Sequence, residues 1–215
     1  IVQTSEGHTG SPGGVVRLAV GEVVRYRLVV RVAETTMTDL YLFDRLSNGL
    51  QFLDDGTAMA AFVCSGGPGC ITSSDPLIAG LPVIAGDETT LATITPTFAL
   101  PDAAVSRLLA SDDDAYTNGS DVYFKFLQVV NNDRDANQEF LVIEFNALVL
   151  NVIGNQSNTA LTNDFQLFIN GSLNATSPLI TARVAEPSFT LTKTITVAPQ
   201  DAGDPLVYRL TITNN

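Results

Sequence analysis

The sequence predicts an all-β sandwich, and three observations carry that expectation. Apolar and polar residues alternate at period two over long stretches. Clusters of Gly, Asn, Asp and Ser punctuate those stretches. Charged residues make up only 16% of the 215-residue chain, and Thr, Ser and Asn fill much of the polar share. That bias suits half-exposed strands better than helix surfaces. The 45% apolar content is that of a chain with a packed core.

The elements follow in order. In the first clear strand, Val24, Tyr26, Leu28, Val30 and Val32 fall on one face, while Arg25, Arg27, Val29 and Arg31 fall on the other. Further strands are expected near 40–44, 50–53, 58–64, 90–98, 121–130, 139–153, 164–169 and 178–185. Ser47-Asn48-Gly49, Asp54-Asp55-Gly56 and Asn170-Gly171-Ser172 mark turns between them. One stretch, 101–110, has a Pro-Asp start and helix-forming residues, and predicts a helix of about two turns. Many strands and one short helix give a sandwich.

A boundary is read at Glu186-Pro187. After it, Phe189, Leu191, Ile195 and Val197 alternate with threonines, Pro199–Gly203 turns the chain, and Leu206–Ile212 returns. Residues 188–213 therefore read as a β-hairpin. Its second arm, GDPLVYRL from Gly203, repeats GEVVRYRL from Gly21 at a spacing of 182 (203 − 21). Recurrence at domain length marks a tandem array. The division predicted is one complete repeat over 1–186, with an inserted region at about 65–115, and the linker and first hairpin of a second repeat over 187–215. An isolated hairpin is marginal in water, so 188–213 is expected to pack on the first unit or to add to a β-edge of a neighbouring copy.

These residues resemble a known family. The order Gly-acidic-x-x-x-Tyr-Arg-Leu, then Asp44-Arg45-Leu46-Ser47-Asn48-Gly49-Leu50-Gln51-Phe52, is similar to the bacterial cell-surface conserved-repeat family of unknown function, except that Ser47 stands where the family has Pro. Asn151–Ser157 with Leu161-Thr162-Asn163 resembles its closing strands, and Glu186-Pro187 followed by Leu191-Thr192-Lys193-Thr194 its junction to the next repeat. The resemblance covers most of the chain outside 65–115. It implies an extracellular, immunoglobulin-like antiparallel module, repeated in tandem in surface proteins that include isopeptide-forming fimbrial subunits. It implies a spacer role and no enzymatic activity. The competing expectation is an adhesin or carbohydrate-binding module that uses loops of the 65–115 insert.

Composition restricts the partners. A net charge of −12, with Lys125 and Lys193 the only lysines, repels polyanions and disfavours nucleic acid and anionic membrane surfaces. No apolar run approaches the ~20 residues that span a bilayer, so no membrane insertion of this segment is expected. No signal peptide is visible. The chain begins at Ile1 without Met and reads as a processed or subcloned piece, which leaves export open. The expected partners are neighbouring repeats, a neighbouring copy through 188–213, and a surface glycan or protein ligand.

Four groups carry candidate chemistry. Cys64 and Cys70 enclose five residues, three of them Gly, and fit a loop-pinning disulfide in an oxidising location. Two free thiols are the alternative. Asp133, Asp135 and Asn137 place oxygen ligands at alternate positions, as a calcium loop does. Gln138 stands where an EF-hand needs Gly, and a solvated acidic turn is the alternative. Asp112-Asp113-Asp114 is a second acidic cluster. Lys193 is in register with the apolar side of its strand, and the resemblance makes it an isopeptide nucleophile of the second repeat, with its partner expected beyond residue 215, and makes Asn163 the Asn-type position of the first repeat. In the first repeat Ser11 (193 − 182) takes the lysine's place, which leaves Lys125 as the substitute. The alternative is a snorkelling lysine.

Catalytic signals are thin. The single histidine, His8, lies in a Gly-rich terminus rather than on a scaffold. The absence of Trp removes the usual sugar platform, although the 23 acidic residues leave a glycosidase pair open. Asn118, Asn155, Asn170 and Asn174 each begin an N-x-Ser/Thr sequon and read as turn residues in a bacterial protein.

Overall fold

The computed structural model describes residues 1–5 and 14–214; His8 and Ser11 lie outside them. In chain order the strands are β1 (Gln3–Thr4), β2 (Arg17–Ala19), β3 (Val23–Val32), β4 (Thr36–Leu46), β5 (Leu50–Phe52) and β6 (Met59–Cys64). β7 (Ile71–Ser73), β8 (Val83–Ala85), β9 (Phe98–Ala99) and β10 (Val105–Ser106) occupy the insert. β11 (Val122–Asn131), β12 (Glu139–Val149), β13 (Ala160–Ile169), β14 (Ser172–Thr176) and β15 (Ile180–Ala185) complete the sandwich. β16 (Phe189–Val197) and β17 (Val207–Asn214) follow.

One sheet runs β1-β3-β12-β6-β8, with β5 also on β12 and β9 on β6. The second runs β10-β11-β4-β13-β15-β2, with β14 on β13 and β7 on β11. Pairing is antiparallel except for β2 on β15 and β8 on β6. The inner faces meet in one core that includes Tyr26, Leu28, Leu42, Phe52, Phe62, Phe124, Phe126 and Phe145. Phe145 is its aromatic hub, with ring centroids 5.6 Å from Tyr26, 5.6 Å from Phe52 and 5.4 Å from Phe124. The fold is the all-β sandwich that the alternation predicts.

β3 shows why the pattern works. Its even residues, Val24 to Val32, are buried and its odd ones face outward, because successive side chains of a strand point to opposite faces. β12 departs from alternation and is buried on both faces from Glu139 to Phe145. The insert supplies the second cover. Ile84, Leu91 and Ile94 pack with Val63, Phe140 and Val142 into a small second core. The buried Glu144 carboxylate accepts from Arg25 Nε at 2.8 Å and from Arg27 Nε at 2.7 Å. Arg27 also donates to the Leu91 and Ile94 carbonyls, at 3.2 and 2.9 Å. This pairing keeps a buried charge satisfied and ties the insert to the sheet.

The structure corrects three expectations. Residues 90–97 do not form a strand, and β9 begins only at Phe98. Asp87 Oδ1 accepts the N–H groups of Thr89 and Thr90, a side-chain turn that competes with strand pairing, and a 3-10 turn follows at Leu91–Thr93. The helix expected over 101–110 is reduced to one 3-10 turn, Asp102–Ala104. Val105 and Ser106 instead pair with Phe124 and Tyr123 of β11, so tertiary pairing overrides local propensity. The third correction concerns one of the two placements expected for the hairpin, packing on the first unit. β16 and β17 pair with each other in the register Leu191↔Ile212 and Lys193↔Leu210, but every described residue of both strands is exposed. The hairpin does not pack on the sandwich: β16 and β17 form a separate two-stranded sheet.

Candidate functional site

The stretches that carry the family resemblance converge at one place. Gly49, at φ +97°, closes the turn between β4 and β5. A Cβ there would overlap the Asn155 side chain and Leu161 Cδ2. Asn155 is buried and donates to the carbonyls of Gly49 and Leu150, at 2.9 and 2.8 Å, which fits a turn role for that sequon. Ser47 Oγ accepts the Thr162 N–H at 2.8 Å, and Thr162 O accepts the Ser47 N–H at 3.0 Å. The Asp-Arg-Leu-Ser-Asn-Gly, Asn-Gln-Ser and Leu-Thr-Asn stretches are thus one built junction.

Inside that junction lies a buried polar pair, Asp44 and Asn163. Neither Asp44 oxygen has a well-formed hydrogen bond among the described residues, and neither has Asn163 Oδ1. Burial holds the Asp44 carboxyl well above the usual carboxylate range. The Asn163 side chain opposes that shift, and the negative charges of Asp164 and Asp121 add to it. Burial, and after it the Asp44 charge, pushes the Tyr26 phenol up. Beside the pair runs a cleft of about 900 Å³ between β3 and the β13–β14 edge, lined by Tyr26, Leu28, Val30, Asn163, Phe165 and Leu167 among others. On this side, among the described residues, β3 is paired only at Val24 and Arg25, by β1.

The predicted isopeptide residues are not brought together. Asn163 is on the core face of β13. Lys125 projects from the outer side of β11, between the buried Phe124 and Phe126, and donates to Ser111 O at 3.2 Å. Lys193 lies on the exposed hairpin with Nζ 3.9 Å from the Tyr208 ring centroid. That contact is a cation–π pair in which the alkyl stem crosses apolar surface.

Cys64 and Cys70 form a disulfide. It brings the insert against the turn between β11 and β12, where Asp133 Oδ2 lies 2.9 Å from Cys64 Sγ. Gly66 allows this approach, since a Cβ there would sit 3.1 Å from Asp133 Oδ2. Asp135 accepts from Ser65 Oγ at 2.6 Å and from the Asn137 N–H at 2.6 Å. Carboxylate oxygens of Asp133, Asp135 and Glu139 lie within 4.8 Å of one another. Asn137, the third oxygen expected from the sequence, donates its amide to Asp135 instead. Glu139 is the member that loop spacing missed. It is in phase with Leu141, Ile143 and Phe145 on the buried face of β12, and a carboxylate on an apolar stripe was the available signal. Of the second acidic cluster, Asp113 pairs with Arg107 at 2.6 Å, and Asp114 faces Asp54 and Asp102.

No family model and no curated protein matches the chain. Among solved structures, it is similar to the pilus backbone RrgB from Streptococcus pneumoniae, with 15% identity and a TM-score of 0.40 over 74% of this chain. It spans 27% of that protein, so the likeness concerns a part of it. It is also similar to ACE19, the collagen-binding subdomain of the Enterococcus faecalis surface protein ACE, with 12% identity and a TM-score of 0.37 over 79% of this chain and 92% of that one. A collagen-binding domain from a Staphylococcus aureus adhesin gives 13% identity and a TM-score of 0.33, over 76% and 88% of the two chains. All three are described as pilus, surface or adhesin proteins, and at these scores the likeness carries no ligand or activity across.

Proposed function

We propose that the chain is a structural module of a tandem-repeat bacterial surface protein, with 1–186 as one self-contained unit and 187–215 opening a second unit like it. The observation that carries this reading is the shared form of two entry strands. Gly21 and Gly203 both take positive φ, +87° and +101°, and each leads into a strand with Tyr and Leu on one face. The first strand is enclosed by a finished core, and the second stands in a bare hairpin. The role is mechanical: a dense aromatic core, a disulfide and a buried Arg–Glu–Arg network resist deformation. The Cys64–Cys70 disulfide fits an oxidising location, and the module is assigned outside the cell. Sequencing and imaging of the longer reading frame test the proposal. Further copies of Gly-acidic-x-x-x-Tyr-Arg-Leu at about 182-residue spacing (from the two copies at Gly21 and Gly203) and an extended beaded particle are expected. A frame without further copies would contradict it.

The second reading is adhesion through the insert. It is favoured by Leu108 and Leu109, adjacent and exposed in the insert, since contiguous exposed apolar surface marks interaction sites. Deleting 65–115 is a poor test, because Ile78, Leu81, Ile94 and Leu100 are buried. A Leu108→Ser/Leu109→Ser variant, compared with the parent on glycan and matrix-protein arrays, separates the readings. Binding lost in the variant favours adhesion, and no binding by the parent favours the spacer.

A further inference from the structure

We infer that Asp133, Asp135 and Glu139 form a calcium site at the junction of the disulfide loop with the turn between β11 and β12. A group of acidic side chains is ordinary on an acidic protein, and Glu139 is what distinguishes this one. Its side chain is 2% exposed, and Oε1 has no hydrogen-bond partner among the described residues. Its other oxygen accepts from Asn131 Nδ2 at 2.9 Å. A buried carboxylate with an empty acceptor is costly unless a cation or proton meets it. The surroundings supply more negative charge. Asp133 and Asp135 set two more carboxylates with oxygens within 4.8 Å of it. A divalent ion between the three carboxylates relieves both effects.

The donor set selects the ion. All three ligands are hard oxygens, and calcium tolerates an irregular set of carboxylates completed by water. Magnesium demands near-octahedral geometry and gives up its water reluctantly. The anchoring is already in place. The disulfide holds Ser65 where its hydroxyl reaches Asp135, and Asn131 Oδ1 accepts the Asp133 N–H at 3.0 Å. The ion therefore ties the insert to the β11–β12 turn. The site does not depend on the spacer reading, and failure of the experiment below leaves that reading as it stands.

The experiment is calcium and magnesium titration of the chelator-treated full chain, by calorimetry and by thermal unfolding. One calcium per chain is expected, with a rise in midpoint of about 5–10 °C at roughly 100 times Kd. Glu139→Gln keeps the shape and is expected to abolish the rise. Should that variant fail to fold, Asp135→Asn at the exposed rim is expected to fold and to weaken calcium at least about tenfold, the loss of one charged ligand. No heat and no shift in the parent would overturn the site, as would a response unchanged in both variants. A magnesium response equal to that of calcium would overturn the assignment of the ion.

Discussion

Tyr26 and Tyr208 hold the same place in two stretches that share Gly, an acidic residue, Tyr, Arg and Leu, yet one is 2% exposed and the other 46%. Tyr26 stacks on Phe145 inside a finished sandwich, and Tyr208 lies under Lys193 on an open hairpin. Leu28 and Leu210 differ in the same way, 3% against 65%. The shared sequence sets the strand, its leading glycine and the face that Tyr and Leu take. It does not supply burial, which β12 and the second sheet add. The shared stretch therefore specifies a strand, and the packing around it makes that strand stable.

The largest contrast follows directly. Leu28→Ala is expected to cost about 2–5 kcal/mol, because it opens a cavity in the main core. Leu210→Ala is expected to move the main unfolding transition by less than about 0.5 kcal/mol, as an exposed change does. Denaturant unfolding of both variants checks this, and similar losses would erase the distinction between the two strands.

A second contrast sets Gly49 against Gly203. Both have positive φ, but a Cβ at Gly49 meets Asn155 and Leu161, while at Gly203 nothing lies within 4 Å. Gly49→Ala is expected to cost about 2–4 kcal/mol from backbone strain and overpacking together. Gly203→Ala should leave the main transition in place. A smaller effect belongs to the Cys64–Cys70 loop, where Cys64→Ser/Cys70→Ser is expected to cost about 2 kcal/mol by loop-closure entropy.

A last contrast depends on pH. The Asp44 carboxyl is raised in the folded state, so the folded protein holds its proton where the unfolded chain, with a pKa of about 3.9, releases it. The stability tied to that proton is fully present below the unfolded value. It is lost as pH rises through the raised folded value. Asp44→Asn cannot ionise, so its midpoint should gain on that of the parent as pH is raised from about 4 to 8, with the difference vanishing at the acid end. A difference that does not vary with pH would mean that Asp44 is ionised or satisfied throughout.

Much of the sandwich was legible because one-sided burial writes itself as alternation. β3 could be read residue by residue, and β16–β17 as a hairpin. The insert was not legible. Asp87 and the threonines after it make a turn through side-chain bonds that a period-two pattern does not encode. Val105 pairs as a strand only because β11 lies beside it. The polar sites were half legible. Asp44 is in phase with Leu40, Leu42 and Leu46, and Glu139 with Leu141 and Ile143, so their alignment with apolar stripes was visible. That Asp44 meets Asn163, or Glu139 meets Asp133, depends on strand register across distant segments, which spacing along the chain does not give.

We propose that 1–186 folds and unfolds as one unit without the hairpin. The most direct measurement is thermal unfolding of the chain ending at Glu186 beside the full chain. An unfolding midpoint unchanged to within about 1 °C is predicted, since β16 and β17 are exposed along their described length and form a separate sheet. A midpoint lower by several degrees would show that the hairpin supports the first unit and would contradict the account.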